Sequence, residues 1–249
     1  MFYKIGSGCI TRRLETVMEK IIGPQQKAYS SQRNIGSILL NLLNMMDHVN
    51  KKKKESLILL VDFKKAFDSI NTKFIDSALE LFNFGESFRK WVSLFFSGRK
   101  TYLLLHGYLG ECINLEQGVP QGDVLSPYIF NICVEILLLK ICHTTTLTGV
   151  KFARRESRAE CFADDTTVFI ERTEANLRAL VKIIEDFARI SGLNANLDKT
   201  MVCPIGGNFS IQEEDQMCQD LKLVWVDNFR LLGLDIDSRL LKLQQNYEI

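Results

Sequence analysis

Five consecutive apolar residues, Leu57-Ile58-Leu59-Leu60-Val61, run straight into a carboxylate, Asp62, with Lys64 and Lys65 just beyond and Glu55 just before. An apolar run of this length bounded by charge reads as a strand buried on both faces. A second acidic feature, Phe162-Ala163-Asp164-Asp165, sits between two short apolar runs. Residues 160–171 read as a hairpin with Asp164 and Asp165 at its tip. Two strands that each deliver an acid to one point suit a hard cation. Mg²⁺ takes oxygen ligands and keeps positions open for substrate phosphates. Two such ions about 3.5–4 Å apart can clamp the attacking and leaving oxygens of a phosphoryl displacement. Three carboxylates in close array repel one another, so without cations the site is expected to be strained or partly protonated.

The surrounding pattern says how the two acidic strands could meet. Apolar residues recur at helical spacing over residues 10–22, 38–49 and 72–82. Ser87 reads as the N-cap of a helix carrying Phe88, Trp91, Val92, Phe95 and Phe96 as a core stripe. Residues 101–115 read as a hairpin around Gly107 and Gly110. Ser126-Pro127 opens a helix, with Pro at the first helical position. Thr173 caps a long helix closed by Gly192. Residues 201–204, 221–225 and 229–236 read as strands. The order strand, helices, hairpin, helix, strand is that of an α+β fold, an antiparallel sheet backed by helices on one face. A split βαβ arrangement sets the first strand beside the hairpin, which brings Asp62 next to Asp164 and Asp165.

Composition narrows the function less than the motifs do. The net charge of +1 gives no global pull towards nucleic acid, so any such contact must use local clusters. Lys51-Lys52-Lys53-Lys54 reads as a solvated turn rather than a binding patch. The seven cysteines form no C-x-x-C pair, which argues against structural zinc and a disulfide framework and fits a reducing compartment. The longest greasy stretch, residues 128–142, is broken by Asn131, Glu135 and Lys140 and reads as too short and too polar for a bilayer. No secretory leader is expected. The expectation is an intracellular protein, nuclear or cytoplasmic and not secreted, with no membrane partner.

A third motif, Gln117-Gly118-Val119-Pro120-Gln121-Gly122-Asp123-Val124-Leu125-Ser126-Pro127, adds a glycine-rich loop ahead of a helix, where backbone can approach a ligand closely. With these residues together, the chain resembles the reverse transcriptase domain of non-LTR (LINE-type) retrotransposons and, more distantly, the reverse transcriptases of group II introns. Residues 61–68 resemble that family's first catalytic motif, the Gln-Gly-Val-Pro-Gln-Gly loop its second, and Phe162-Ala163-Asp164-Asp165 its third. Gly192-Leu193-Asn194 with Asn196, Lys199 and Thr200 is similar to the fourth, and Leu231-Leu232-Gly233 to the primer-grip turn. Gln26, Tyr29 and Arg33 fall where the family carries Gln, an aromatic and Arg. It favours glycine where this chain has Ala28 and Gln32.

The resemblance implies a reverse-transcriptase palm with partial fingers. Residues 1–55 would be fingers helices, 56–205 the palm, and 206–249 a C-terminal hairpin with the primer grip. It also implies RNA-directed DNA synthesis with an RNA template, a DNA primer and deoxynucleoside triphosphates. Asp62, Asp164 and Asp165 would hold two Mg²⁺ ions, for which Mn²⁺ could substitute, with the carbonyl of Phe63 as a further ligand. Phe67 would be a steric gate against ribonucleotides; its plain alternative is a core phenylalanine. Gln121 and Gly122 would line the nucleotide pocket, Lys199 would protonate pyrophosphate, and Leu232 and Gly233 would grip the primer. Asp68 and Asp123 are expected to support neighbours rather than bind metal. The first fingers strands, the thumb and an endonuclease are expected to lie outside this sequence, supplied by further polypeptide. Three alternatives stay open: an inactive relic that keeps a nucleic-acid-binding palm, a truncated gene product with no role of its own, and a nucleotide-cyclising enzyme on the same sheet.

Overall fold

The computed structural model describes residues 2–29, 34–152, 155–207 and 216–240; Arg33 and Gln32 lie outside them. In chain order the elements are α1 (Phe2–Ile21), α2 (Ile35–Lys52), β1 (Ser56–Val61), α3 (Ala66–Ser69), α4 (Thr72–Leu81), α5 (Glu86–Phe96), β2 (Arg99–Leu105) and β3 (Tyr108–Leu115). There follow α6 (Ser126–His143), β4 (Val150–Phe152), β5 (Arg155–Ser157), β6 (Ala159–Phe162), β7 (Asp165–Glu171) and α7 (Glu174–Ser191). The last are β8 (Met201–Ile205), α8 (Gln216–Asp220), β9 (Val224–Trp225), β10 (Asn228–Leu231) and β11 (Leu234–Asp237).

Five strands form one sheet in the order β6-β7-β1-β8-β9, antiparallel except where β9 runs parallel to β8. β1 is central, and all six of its residues are buried, as its unbroken apolar run predicts. Leu57, Leu59 and Val61 face one core with Val168, Ile170 and Val202, under α1, α4, α5, α6 and α7. Ile58 and Leu60 face a second core with Phe169 and Cys203. That second face is covered by Leu42, Met45, Met46 and Val49 of α2 and by Phe229, Leu231 and Ile236 of the β10–β11 hairpin. The antiparallel sheet backed by helices is therefore present, and its opposite face carries a further layer that the order of elements does not reveal.

Local chemistry explains the element ends. Asn34 caps α2 by accepting from Ser37 N–H (2.9 Å), and Thr173 caps α7 by accepting from Asn176 N–H (3.2 Å). Gly192 closes α7 at φ +80°. Three boundary expectations are corrected. α5 begins at Glu86 after Gly85, so Ser87 lies inside the helix. Trp91 points to solvent with 51% exposure while Val92, Phe95 and Phe96 are buried, because the core accepts only one side of that stripe. The stretch expected as a strand over residues 221–225 pairs only at Val224 and Trp225.

α6 also departs from expectation. It runs 18 residues with mean hydropathy 1.3, long and apolar enough to cross a bilayer. Yet 61% of it is buried inside the protein, and a helix apolar all round is what the middle of a core requires. Its interior polar residues find partners there: Asn131 donates to Ala28 C=O (3.0 Å) and Glu135 accepts from Gly23 N–H (2.9 Å).

Because β1 is buried on both faces, Ile58→Ala and Leu59→Ala should each lower the unfolding free energy by about 2–5 kcal/mol. Urea denaturation checks both. A cost below about 1 kcal/mol for Ile58→Ala would mean that the layer of α2 and β10–β11 does not pack on the sheet in solution.

Candidate active site

β1 pairs with β7 in a register that sets Val61 opposite Thr166. One step further, Asp62 leaves β1 level with Asp165, the first residue of β7. The segment after α7 holds the acid-bearing end of β1 in place. Asn196 N–H donates to Asp62 C=O (2.7 Å), Lys64 N–H donates to Asn194 C=O (2.9 Å), and Phe63 bridges Ala195. Asp164 occupies the two-residue turn between β6 and β7, next to Ala163 at φ +59°. Asp62, Asp164 and Asp165 all reach solvent.

The Asp165 carboxyl is pushed above the usual carboxylate range, first by burial and then by the charges of Asp164 and Asp62. Asp165 thus senses both of the other acids. Among the described residues, no three ligand-type side chains stand close enough to hold an ion as they are. The donor set nevertheless fits a hard divalent cation: it offers carboxylate oxygens from adjacent chain segments, and their mutual repulsion is what a cation would relieve.

Asp62 and Asp165 open onto a cavity of about 440 Å³ whose wall also includes Asp198, Lys199, Arg230 and Leu232. Lys199 lies on a single 3₁₀ turn (Leu197–Lys199) just before β8. Leu232 and Gly233 form the turn of the β10–β11 hairpin, at φ +48° and +92°. Positive φ at both central residues is what a type I′ two-residue hairpin turn requires. Sequence reasoning missed Arg230 and Asp198. In β10 the exposed residues Asn228 and Arg230 alternate with buried Phe229 and Leu231, so the period-2 pattern was the available signal for Arg230. Nothing in the sequence marks Asp198.

A second group of expected residues stands apart from this cavity, on α3 and the loop before α6. Gly118 N–H donates to Ile70 C=O and Val119 N–H to Phe67 C=O, both at 2.7 Å, which ties the loop to α3. Gly118 is at φ +79°, and a Cβ there would fall 2.8 Å from the Cα and C=O of Asp68, so the joint closes only with glycine. Arg99 donates to the carbonyl of Gln117 (2.7 Å) and to that of Gly118. Gln121 Nε2 donates to both carboxylate oxygens of Asp68, each at 3.2 Å. Asp123 is buried and accepts from the Ser126 hydroxyl (3.4 Å). Gly122 is exposed at φ +80°. Phe67 is half-buried and stacks on Phe130, with ring centroids 4.4 Å apart.

Acids at the ends of neighbouring antiparallel strands, opening onto a cavity that Lys199 and Arg230 also line, define a palm of the polymerase kind. The chain is similar to the Pol polyprotein of the retrotransposable element R2DM of Drosophila melanogaster, with 32% identity over 66% of this chain and 15% of that protein. It is also similar to the Pol polyprotein of element R2 of Popillia japonica, with 26% identity over 77% of this chain and 27% of that protein. The solved telomerase of Candida tropicalis, in complex with a fragment of telomeric RNA, shares the fold with a TM-score of 0.66. There the identity is 12%, over 93% of this chain and 36% of that one. The pattern of the reverse transcriptase (RNA-dependent DNA polymerase) family matches residues 1–236, so the chain belongs to that family, on the non-LTR retrotransposon branch. It spans between 15% and 27% of the length of these two R2 relatives. Divalent metal ions serve the family generally.

The raised Asp165 value has a consequence for stability. A folded-state value above the unfolded one, near 3.9, contributes stability that is full below the unfolded value. That contribution is lost as pH rises through the folded one. Asp165→Asn should therefore raise the thermal midpoint of the chelator-treated protein at pH 7 and change it little at pH 3. An unchanged or lowered midpoint at pH 7 would show that Asp165 is not under charge strain.

Proposed function

We propose that this chain is the RNA-directed DNA polymerase domain of an R2-type non-LTR retrotransposon protein, adding deoxynucleotides to a DNA primer on an RNA template. The observation that carries this reading is the meeting of Asp62 and Asp165 on one cavity with Lys199, Arg230 and Leu232 of the hairpin turn. In this reading Asp62, Asp164 and Asp165, with the carbonyl of Phe63, would hold two Mg²⁺ ions. The chemistry such ions supply is acidification of the primer 3′-hydroxyl and neutralisation of charge on departing pyrophosphate.

The chain's own residues do the rest. Lys199 and Arg230 add positive charge to the wall of the cavity onto which Asp62 and Asp165 open, where they would hold the phosphates of a triphosphate. Lys199, an ammonium on an exposed turn, is the donor for the leaving pyrophosphate. The Leu232-Gly233 turn supports the primer end. Gln121, held by Asp68, and Gly122 line the path of the nucleotide and template base. Phe67, fixed against Phe130, sets the floor on which a 2′-hydroxyl would clash.

Primer extension on an RNA template with deoxynucleotides and Mg²⁺ tests the reading. The parent should extend the primer, and Asp164→Ala should reduce extension by at least a thousandfold, a loss of about 4 kcal/mol in transition-state stabilisation. No extension by either protein, or the absence of Mn²⁺ binding by the parent, would leave an inert nucleic-acid-binding palm as the better account, and extension that survives Asp164→Ala would remove Asp164 from the chemistry. In the active protein, Phe67→Val should raise ribonucleotide incorporation about tenfold or more while leaving metal dependence unchanged. Equal discrimination in parent and variant would return Phe67 to the core.

A further inference from the structure

Gln26 lies on the segment between α1 and α2, and that segment runs along the outer edge of β6. Cys161 N–H donates to Gln25 C=O (2.9 Å) and Lys27 N–H donates to Cys161 C=O (2.8 Å), so Gln26 bridges Cys161 in parallel. From this added edge the fully buried Gln26 side chain reaches the turn between β6 and β7. Its Oε1 accepts from Ala163 N–H (3.2 Å) and from Ala28 N–H (3.1 Å). Its Nε2 donates to Ala163 C=O (3.4 Å) and to Cys161 Sγ (3.3 Å). Two backbone N–H groups at one end of the amide fix that end as the oxygen.

One side chain therefore holds both backbone polar groups of Ala163. Ala163 needs holding. It is buried, it stands at φ +59° in the first position of a two-residue hairpin turn, and that position ordinarily belongs to glycine. Left-handed backbone is disfavoured for a residue with a Cβ and persists where the surroundings over-determine it. The next residue is Asp164, so the conformation of Ala163 decides where that carboxylate points.

We propose that Gln26 is the positioning residue for Asp164, locking the Ala163 turn so that Asp164 faces Asp62 and Asp165, and thereby tying the α1–α2 segment to the metal site. The inference rests on the reading of Asp164 as a metal ligand. A buried glutamine that merely fills a loop would leave the Ala163 turn and metal affinity untouched when it is replaced.

The test measures two quantities on the full chain: hydrogen exchange of the Ala163 amide, and half-saturation by Mn²⁺ alone. Gln26→Met keeps the volume and removes the amide. Gln26→Asn keeps an amide one methylene too short to span the turn, and it serves should the first variant fail to fold. Leu42→Ala, buried in the layer across the sheet, controls for general loss of stability. Either Gln26 variant should speed Ala163 exchange about tenfold or more and raise the Mn²⁺ half-saturation concentration by about tenfold, while Leu42→Ala moves neither at matched stability. Unchanged Ala163 exchange, or faster exchange with unaltered Mn²⁺ half-saturation, would overturn the proposal. A parent that binds no Mn²⁺ would instead overturn the metal-site reading, and with it the role given to Asp164.

Discussion

β1 is hydrogen-bonded to β7 on one edge and β8 on the other, and apolar cores press on both of its faces. A strand so enclosed needs a defined register, yet its sequence gives little help from the usual source. Where one face is polar, a one-residue slip exposes the apolar set and is rejected. Here a slip would only exchange Leu57, Leu59 and Val61 with Ile58 and Leu60. The polar ends provide the stop. Drawing Asp62 inward would place a carboxylate in a dry sheet without a partner, which costs far more than any repacking of leucine and isoleucine. The acid assigned to chemistry is also the residue that pins the central strand.

From that register the rest of the site follows by adjacency. β7 brings Asp165 level with Asp62, the β6–β7 turn brings Asp164, and β8 brings Lys199 just ahead of its first residue. The β10–β11 hairpin seals the second core with Phe229, Leu231 and Ile236, and the same packing turns Arg230 and Leu232 towards the cavity. Core and site are built from the same strands, and Leu60 and Leu231 belong to both. An ordinary net charge of +1 is thus compatible with a cavity that gathers Asp62, Asp165, Asp198, Lys199 and Arg230: the charges are concentrated by topology rather than by composition.

Much of this was legible in the sequence, and what was not has a physical cause. The central strand, the acidic hairpin, the glycine-bearing loop and the capped α7 each carry a local signal, whether an unbroken apolar run, a turn composition or a cap residue. The second layer on the sheet was not legible. α2 has the same amphipathic spacing whichever face it covers, and only the folded chain shows that Leu42, Met46 and Val49 meet Ile58 rather than Leu59. The clamp of Asp68 on Gln121 was hidden because two exposed polar residues 53 positions apart carry no pattern. The same holds for Gln26. Its place between helices was noticed through the resemblance, but its bonds to Ala163 depend on a parallel edge pairing that no periodicity announces.

The acidic centre is held by structure against its own preference. Asp165 carries a raised affinity for protons because burial penalises its charge and Asp164 and Asp62 stand beside it, and Ala163 keeps a left-handed backbone where glycine would be at ease. Both are local costs, and each falls at the turn that carries the chemistry. Neither would survive in a loop free to relax. They persist because β6 and β7 are anchored in the sheet on one side and the Gln25–Lys27 edge closes on the other. A site of this kind is pre-organised at the backbone and incomplete at the side chains: the scaffold sets where the carboxylates emerge, and their repulsion keeps them apart until positive charge arrives between them.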